Sequence, residues 1–189
     1  SVSAPVLANS GMLDGAGQIR ATLQNNSGGE VAVYSGQTLL VTGASNINAS
    51  NGIINLSGGT LHFTQDLTNQ SGGTIDGFGN LRVDGGLTTA NALAMASSRG
   101  VFTVVNNVAG ATIHLSGATP NVVFAPVTND GTLSIDAGAT GTFYGSYTGN
   151  GAIINNGNLY LNASSMAGPI TGNGNLTIGT PGSPIVLQM

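Results

Sequence analysis

Short apolar pairs, in which two apolar residues flank a single residue of another kind, recur through this chain and constrain its fold most. Leu61-x-Phe63 and Leu81-x-Val83 are examples, and turn-forming residues follow each pair. This alternation places both apolar side chains on one side of an extended backbone, which is typical of a short β-strand with one buried face. Helical propensity is confined to the segment 90–97 (ANALAMAS). The pattern therefore predicts an all-β chain.

The pairs recur at a fixed step, since Leu61 and Leu81 lie 20 residues apart. With that step, most of the residues in three columns are apolar: Leu13, Val33, Ile53, Gly73, Leu93, Ile113, Leu133 and Ile153; Ala21, Val41, Leu61, Leu81, Val101, Asn121, Gly141 and Leu161, with a companion two residues on; and Leu7, Ser27, Ile47, Leu67, Leu87, Asn107, Val127 and Tyr147. Turn formers collect between them: Asn9, Gly29, Ala49, Asn69, Thr89, Ala109, Asn129 and Gly149; Asn26, Asn46, Asp66, Gly86, Asn106, Pro126 and Ser146; and the segments 76–80, 116–120 and 136–140.

Three apolar columns separated by three polar corners predict a three-sided coil. Successive coils stack about 4.8 Å apart through parallel strands, so that each apolar column becomes a ladder in one continuous core. The chain is long enough for about eight to nine such coils. A single coil has no core of its own, because its apolar side chains are buried only by its neighbours. We therefore expect one β-solenoid rather than two separate domains.

The 20-residue register extends from Leu13 to Ala163 and then shifts. Leu176 is expected to follow Ile153 after an offset of 23 residues, with the segment 164–169 looping out. We expect a single solenoid domain over 1–179. Residues 180–189 are expected to form a C-terminal tail, in which 185–189 (IVLQM) is a short apolar strand with no clear place in the repeat.

Composition excludes several classes of function. Apolar residues make up 40% of the chain and charged residues only 5%, with three arginines, no lysine and a formal net charge of −4. Nucleic acid is excluded as a partner because phosphate binding needs a basic surface, and attraction to an anionic membrane is disfavoured for the same reason. The chain has no cysteine, which excludes disulfides and thiolate metal sites. No apolar run reaches the roughly 20 residues of a membrane helix.

Several phrases resemble the repeats of bacterial secreted β-helix proteins, the filamentous-haemagglutinin-type adhesins and autotransporter passenger domains. The phrases are DLTNQSGGTIDGFGNLRVDGGL, PVTNDGTLSIDAG and NNGNLYLNA. The resemblance extends over about Gly11 to Ile178. It lies in the general character of the repeats rather than in an invariant motif, and it identifies no catalytic residue. It implies a right-handed parallel β-helix at the bacterial cell surface or outside the cell, serving adhesion, aggregation or matrix building.

The densest ionisable group is His62, Asp66, Asp76, Arg82 and Asp84, and the repeat places His62 next to Arg82 on one outer face. Some polysaccharide-cleaving β-helix enzymes work from such a face with paired carboxylates. The alternative function is therefore a carbohydrate-active or glycan-binding β-helix that uses the face around His62 and Arg82. The three aspartates fall at corners, where aspartate favours turns, so the simpler interpretation is a set of solvated turn residues.

Three further motifs suggest ligands but have simpler interpretations as structural residues. The segment 72–86 faintly resembles a calcium-binding glycine and aspartate repeat, but its aspartates do not recur in every coil. An outer rank of threonines, interrupted by Val108, suggests an ice-binding plane, yet no second rank accompanies it: Thr68, Thr88, Thr128 and Thr148. Tyr144 and Tyr160 are candidates for sugar stacking, whereas Tyr147 falls in a core column. We therefore assign no metal, cofactor or catalytic residue.

The ends of a solenoid present unpaired backbone groups, which are templates for strands of other chains. Neither terminal segment has the character of a capping helix or a charged cap. We predict a non-enzymatic extracellular structural or adhesive module whose partners are itself, in a head-to-tail assembly, or components of the cell surface and matrix. The candidate self-association residues are Ile185, Val186, Leu187, Gln188 and Met189.

Overall fold

A computed structural model describes residues 5–90, 92–96, 99–179 and 185–188. These residues contain strands, turns and bends and no helix. The strands are stacked in parallel as a β-solenoid of about eight turns, which confirms the predicted fold class. The right-handed sense of the coil stays a prediction.

The strands are short, apart from a few that continue around a corner. In chain order they are β1 (Val6–Asn9), β2 (Met12–Asp14), β3 (Gly17–Ile19), β4 (Thr22–Asn25), β5 (Glu30–Tyr34), β6 (Thr38–Val41), β7 (Asn46–Asn48), β8 (Ile53–Phe63), β9 (Leu67–Asn69), β10 (Thr74–Thr89), β11 (Ala92–Ala96), β12 (Arg99–Asn107), β13 (Thr112–Ser116), β14 (Asn121–Phe124), β15 (Val127–Asn129), β16 (Thr132–Ile135), β17 (Thr140–Gly149), β18 (Ala152–Asn155), β19 (Asn158–Met166), β20 (Ile170–Thr171), β21 (Asn175–Ile178) and β22 (Ile185–Gln188).

The strands form three faces, and each coil visits the faces in the same order. The first face consists of β1, β4, β7, β9, the ends of β10 and β12, β15, and the ends of β17 and β19. The second consists of β2, β5, the starts of β8 and β10, then β11, β13, β16, β18 and β20. The third consists of β3, β6, the end of β8, the middle of β10, the start of β12, β14, the starts of β17 and β19, and β21.

One apolar core runs along the axis between the three faces. Leu61 pairs with Leu81, and Leu67 pairs with Leu87, as the repeat predicts. All four side chains are buried, and they belong to a single hydrophobic cluster that extends from Leu23 to Leu176. Each coil therefore depends on its neighbours for its burial, as expected for a solenoid.

The strict 20-residue step is wrong in the N-terminal half of the chain. It holds from Leu93 through Ile113 and Leu133 to Ile153, but Leu13 pairs with Val31, and the partners that follow on this face are Ile54 and Ile75. Ile53, a predicted core residue, is 39% exposed, whereas Ile54 is 1% exposed. Because the corners face solvent, their length varies without disturbing the core, and the inward positions shift along the sequence accordingly.

The variable length of the corners also changes the pairings predicted for the other two apolar columns. On the first face, Leu7 pairs with Leu23 rather than Ser27, and Leu87 pairs with Val105 rather than Asn107. On the third face, Val41 pairs with Ile19 rather than Ala21, and Leu161 pairs with Phe143 rather than Gly141. In each case an apolar residue occupies the inward position, so that the buried column is more uniformly apolar than the fixed step predicts.

The last coil is short rather than long. Leu176 pairs with Leu159 rather than following Ile153, whose partner is Ile170. The expected loop over 164–169 is wrong, because β19 runs to Met166. Hydrogen-bonded Asn158 and Asn175 are 17 residues apart, so residues are missing from this coil relative to the repeat rather than added.

The tail segment does find a place, but outside the repeat. β22 pairs antiparallel with β21, and Leu187 lies opposite Leu176. All the other described strand pairs are parallel. Met189 lies outside the described residues, and the division of the chain at residue 180 stays a prediction.

Asparagines form a buried ladder at the corner where the first face ends. Asn9 Nδ2 donates to Asn25 Oδ1 at 2.8 Å, Asn25 Nδ2 to Asn48 Oδ1 at 2.7 Å, and Asn48 Nδ2 to Asn69 Oδ1 at 2.8 Å. The residues in these pairs are 16, 23 and 21 positions apart, so the ladder follows the coils and not a fixed step. Asn69 Nδ2 continues the ladder to the hydroxyl of Thr89 at 3.2 Å.

The ladder also satisfies the corner backbone. Asn25 Nδ2 lies 3.1 Å from the carbonyl oxygen of Gly29, and Asn48 Nδ2 lies 3.1 Å from that of Gly52. Each side chain also reaches a carbonyl in the next coil, as Asn48 does to Thr74 at 3.0 Å. The carbonyls of Gly29 and Gly52 also accept the backbone N–H groups of Ile53 and Thr74, so the ladder gives each corner carbonyl a second hydrogen bond.

Thr89 interrupts the asparagine ladder, and we expect that restoring it will stabilise the fold. Thr89 lies between Asn69 and Asn107 on the first face, and Asn107 Oδ1 is buried without a hydrogen-bond partner among the described residues. In Thr89→Asn, the new amide has a donor for Asn107 Oδ1. The free energy of unfolding should rise by about 1 kcal/mol in a denaturant titration followed by circular dichroism.

The matched control is Thr88→Asn, which makes the same change on the outward side of the same strand. It should leave the unfolding midpoint nearly unchanged. A loss of stability in Thr89→Asn that Thr88→Asn does not share would contradict the role assigned to the ladder.

Candidate functional site

Three of the five ionisable residues singled out in the sequence meet on the outer side of the third face. His62, at the end of β8, pairs in register with Arg82 of β10, as the repeat predicts. His62 Nε2 lies 2.7 Å from Asp84 Oδ2, and Arg82 Nε donates to Asp84 Oδ1 at 2.6 Å. Inward residues flank both His62 and Arg82, which fixes the outward direction of these side chains. We call His62, Arg82 and Asp84 the His–Arg–Asp cluster.

The electrostatics of the cluster favour an ionised carboxylate. The hydrogen bond from His62 is the largest effect and lowers the pKa of Asp84; burial opposes it, and the hydrogen bond from Arg82 adds a smaller lowering. A carboxyl with a lowered pKa is a poor general acid at neutral pH. Because both carboxylate oxygens of Asp84 accept these bonds, the cluster has the chemistry of a surface ion group or of a polar binding site.

The other two aspartates lie elsewhere. Asp66 Oδ1 accepts a hydrogen bond from the backbone N–H of Gly86 at 2.8 Å, which is the turn role expected of a corner aspartate. Asp76 lies on the second face opposite Asn55, whose amide donates to Glu30 Oε1 at 3.2 Å. Burial, and to a lesser extent the charge of Glu30, raises the pKa of Asp76. The structure therefore divides the predicted group among the third face, the second face and the corner before β9.

A second histidine makes a similar contact on the second face. His114 Nε2 lies 2.9 Å from Asp136 Oδ1, and both side chains are exposed. The repetition of a histidine–aspartate contact on two faces favours surface pairing over a specialised site. Among the described residues no group of three or more histidine, aspartate and glutamate side chains is placed to hold a metal ion.

Aromatic side chains form a small exposed stack on the third face. The rings of Phe124 and Tyr144 lie 4.9 Å apart and are almost parallel, and Tyr160 of the next coil is 45% exposed. Sequence reasoning identified Tyr144 and Tyr160 but missed Phe124, although Phe124 follows the inward Val123 as Tyr144 follows the inward Phe143. Tyr147 is buried against Phe143, as its core column predicts, and burial raises its pKa.

The threonine rank is present on the first face. Thr68 pairs with Thr88, and Thr128 pairs with Thr148. Asn106, rather than Val108, interrupts the rank. The short first-face strands alternate inward, outward, inward, as in β9 and β15, so that each presents a single outward residue. A second parallel rank, which an ice-binding plane was expected to need, does not fit on such strands.

The two ends of the described solenoid differ. At the first coil, Leu7 is 36% exposed although its partner Leu23 is an inward residue that is 1% exposed, and Val6 and Met12 are 54% and 55% exposed. At the last coil, Leu176 is fully buried. The described strands of the first coil, β1, β2 and β3, each pair on one side only, with β4, β5 and β6. We call β1, β2 and β3 the open end.

Comparison of the chain with protein-family models, curated proteins and solved structures finds no match. The adhesin or autotransporter resemblance is therefore a proposal, whereas the β-solenoid architecture stands on the structure. Within the described residues, no helix has the length and apolar character needed to cross a membrane.

Proposed function

We propose that this protein is a non-enzymatic structural or adhesive β-solenoid module of the bacterial cell exterior that self-associates end to end into a filament or surface matrix. The observation that carries the proposal is the open end, where backbone edges and the inward residue Leu7 are exposed together. Exposed strand edges are templates for further strands, and a parallel coil is the natural addition to a parallel solenoid.

The rest of the molecule suits a mechanical role. Its core and its asparagine ladder are built from contacts between neighbouring coils, so that added coils extend the same interactions. Contact between the start of one copy and the end of the next is heterologous, and heterologous contacts produce open filaments when they do not close into rings. The aromatic stack at Phe124 and Tyr144 adds an exposed apolar patch of the kind that serves adhesion.

The proposal predicts that Leu7→Lys prevents assembly. A lysine at this position reaches solvent in the free protein, but stacking of another coil on the open end would bury its charge. The concentration at half assembly should rise about tenfold or more, measured by sedimentation velocity over a concentration series and by negative-stain electron microscopy.

Ile154→Lys is the matched control. Ile154 is 40% exposed, close to the value for Leu7, but it lies on an outer face away from the open end. It should assemble as the unmodified chain does. Monomers of the unmodified chain at every concentration would sink the proposal, as would equal effects of the two lysine substitutions.

The second candidate function is a carbohydrate-active or glycan-binding β-helix, and the His–Arg–Asp cluster is the observation that favours it. His62 and Arg82 offer polar groups on one outer face around an ionised carboxylate. If this function is present, replacing both His62 and Arg82 by alanine should reduce binding or cleavage of soluble polysaccharides at least tenfold on a glycan array and in a reducing-sugar assay.

His114→Ala is the control for that experiment, because it removes the equivalent histidine–aspartate contact on another face. Glycan binding that survives in the double variant, or that is lost equally in His114→Ala, would count against the cluster as the site.

A further inference from the structure

The third face ends differently from the other two. Its last parallel strand, β21, pairs with β19 on one side and with the antiparallel strand β22 on the other. In the described part of the last coil, β20 and the end of β19 each pair on one side only. β22 therefore occupies one of the three edges onto which another coil would be added.

The edge of β21 is also where a further coil would have to pair. Along the third face each strand accepts the equivalent strand of the following coil, in the order β3, β6, β8 and onward to β21. In an end-to-end contact, the strand that follows β21 is β3 of a second copy. A strand edge has one set of outward N–H and C=O groups, so that β22 and the second copy's β3 cannot both use it.

We infer that β22 is a self-capping strand that competes with β3 of a second copy for the edge of β21. The acceptor surface is the edge of Asn175–Ile178, and its partner is the open end of another copy of this chain. The inference rests on the proposed end-to-end association. It also gives the candidate segment Ile185–Gln188 a different part in assembly, since here the segment must leave before the next copy stacks.

Burial at the two ends agrees with this inference. Leu176 on β21 is fully buried, whereas Leu7 at the open end is 36% exposed. The register places Leu187 opposite Leu176, and Thr177 opposite Val186. Leu176 of the capped strand is thus covered, whereas Leu7 of β1 is partly exposed. The open end of a second copy can pair with β21 only after β22 is displaced.

The test uses the absence of cysteine from the natural chain. Thr177→Cys combined with Val186→Cys places a disulfide across the β21–β22 pair, with Thr177 half-buried and next to the inward Leu176. The oxidised variant should fail to assemble in sedimentation velocity, and a reducing agent should restore assembly. Leu187→Pro weakens β22 in the full-length chain and should lower the concentration at half assembly about tenfold.

The matched control is Thr132→Cys with Ala152→Cys, which links β16 and β18 of the second face, two strands that each pair on both sides. It should assemble in both redox states. Normal assembly of the oxidised β21–β22 variant would overturn the inference and leave the proposed function standing. Weaker assembly of Leu187→Pro would also overturn it, because β22 would then be an adhesive strand. Absence of assembly in every chain would overturn the proposed function and this inference together.

Discussion

Replacing Asn48 by alanine should lower the free energy of unfolding by about 3 kcal/mol, because the change removes several buried hydrogen bonds at once. Asn48 Nδ2 donates toward Asn69 Oδ1, and its own Oδ1 accepts from Asn25. Asn48 Nδ2 also donates to the carbonyl oxygens of Gly52 and Thr74. Alanine removes these four hydrogen bonds in a region where Asn48 is fully buried.

The measurement is a denaturant titration followed by circular dichroism and, independently, by tyrosine fluorescence. Asn150→Ala is the matched control, since Asn150 is exposed and should give a change near zero. Comparable losses in both variants would contradict the ladder as a source of stability. Two transitions in Asn48→Ala would indicate that coils on either side of the break unfold separately, as neighbour-coupled repeats permit.

Replacing Gly145 by alanine should destabilise the fold by about 3 kcal/mol, through steric conflict rather than through lost contacts. Gly145 lies at the corner between the third and first faces, where a Cβ would fall on the carbonyl group of Ala125 in the preceding coil. The backbone of Ala125 belongs to the stack and has no flexible end to move aside. Gly43 makes the same close approach to Ala21 in an earlier coil.

The glycine prediction is checked by thermal and denaturant unfolding beside Gly11→Ala. A Cβ at Gly11 meets no atom within 4 Å, so that this control makes the same chemical change in open space. An unfolding midpoint for Gly145→Ala that matches the control would show that the corner relaxes without cost. In that case the close coil spacing at this corner would not need glycine.

Ala92–Ala96 shows why local propensity alone misleads in this fold. The segment around it has the strongest helical propensity of the chain, yet β11 is a strand that pairs with β10 and β13. Leu93 and Met95 are buried in the core. The pairing and burial supplied by two neighbouring coils outweigh a helix preference that amounts to less than about 1 kcal/mol per residue.

The buried asparagines could have been found in the sequence by a motif other than a fixed step. Leu23-x-Asn25 and Leu67-x-Asn69 share an apolar residue two positions before an asparagine, with glycine four positions after it at Gly29 and Gly73. The fixed step places Asn9, Asn69 and Asn129 together but misses Asn25 and Asn48. It also suggests an exposed corner, because a turn former gives no indication of whether its side chain points inward.

The candidate site was predictable only where coil length matches the repeat. His62 and Arg82 are adjacent because the coils at Leu61 and Leu81 keep the 20-residue step. Asp84 joins them by direct contact, which no spacing rule predicts. Phe124 was missed although its coil keeps the 20-residue step, since Val123 pairs with Phe143, because only tyrosines were considered as stacking residues.

The sequence by itself determined the class of this fold. Alternating apolar pairs, frequent turn formers and the scarcity of charge leave a stacked three-sided coil as the arrangement that buries every pair. The tertiary structure decided the coil lengths, the inward asparagine ladder and the antiparallel β22. These features depend on contacts between coils, and such contacts form only after the register of each coil is fixed by packing against its neighbours.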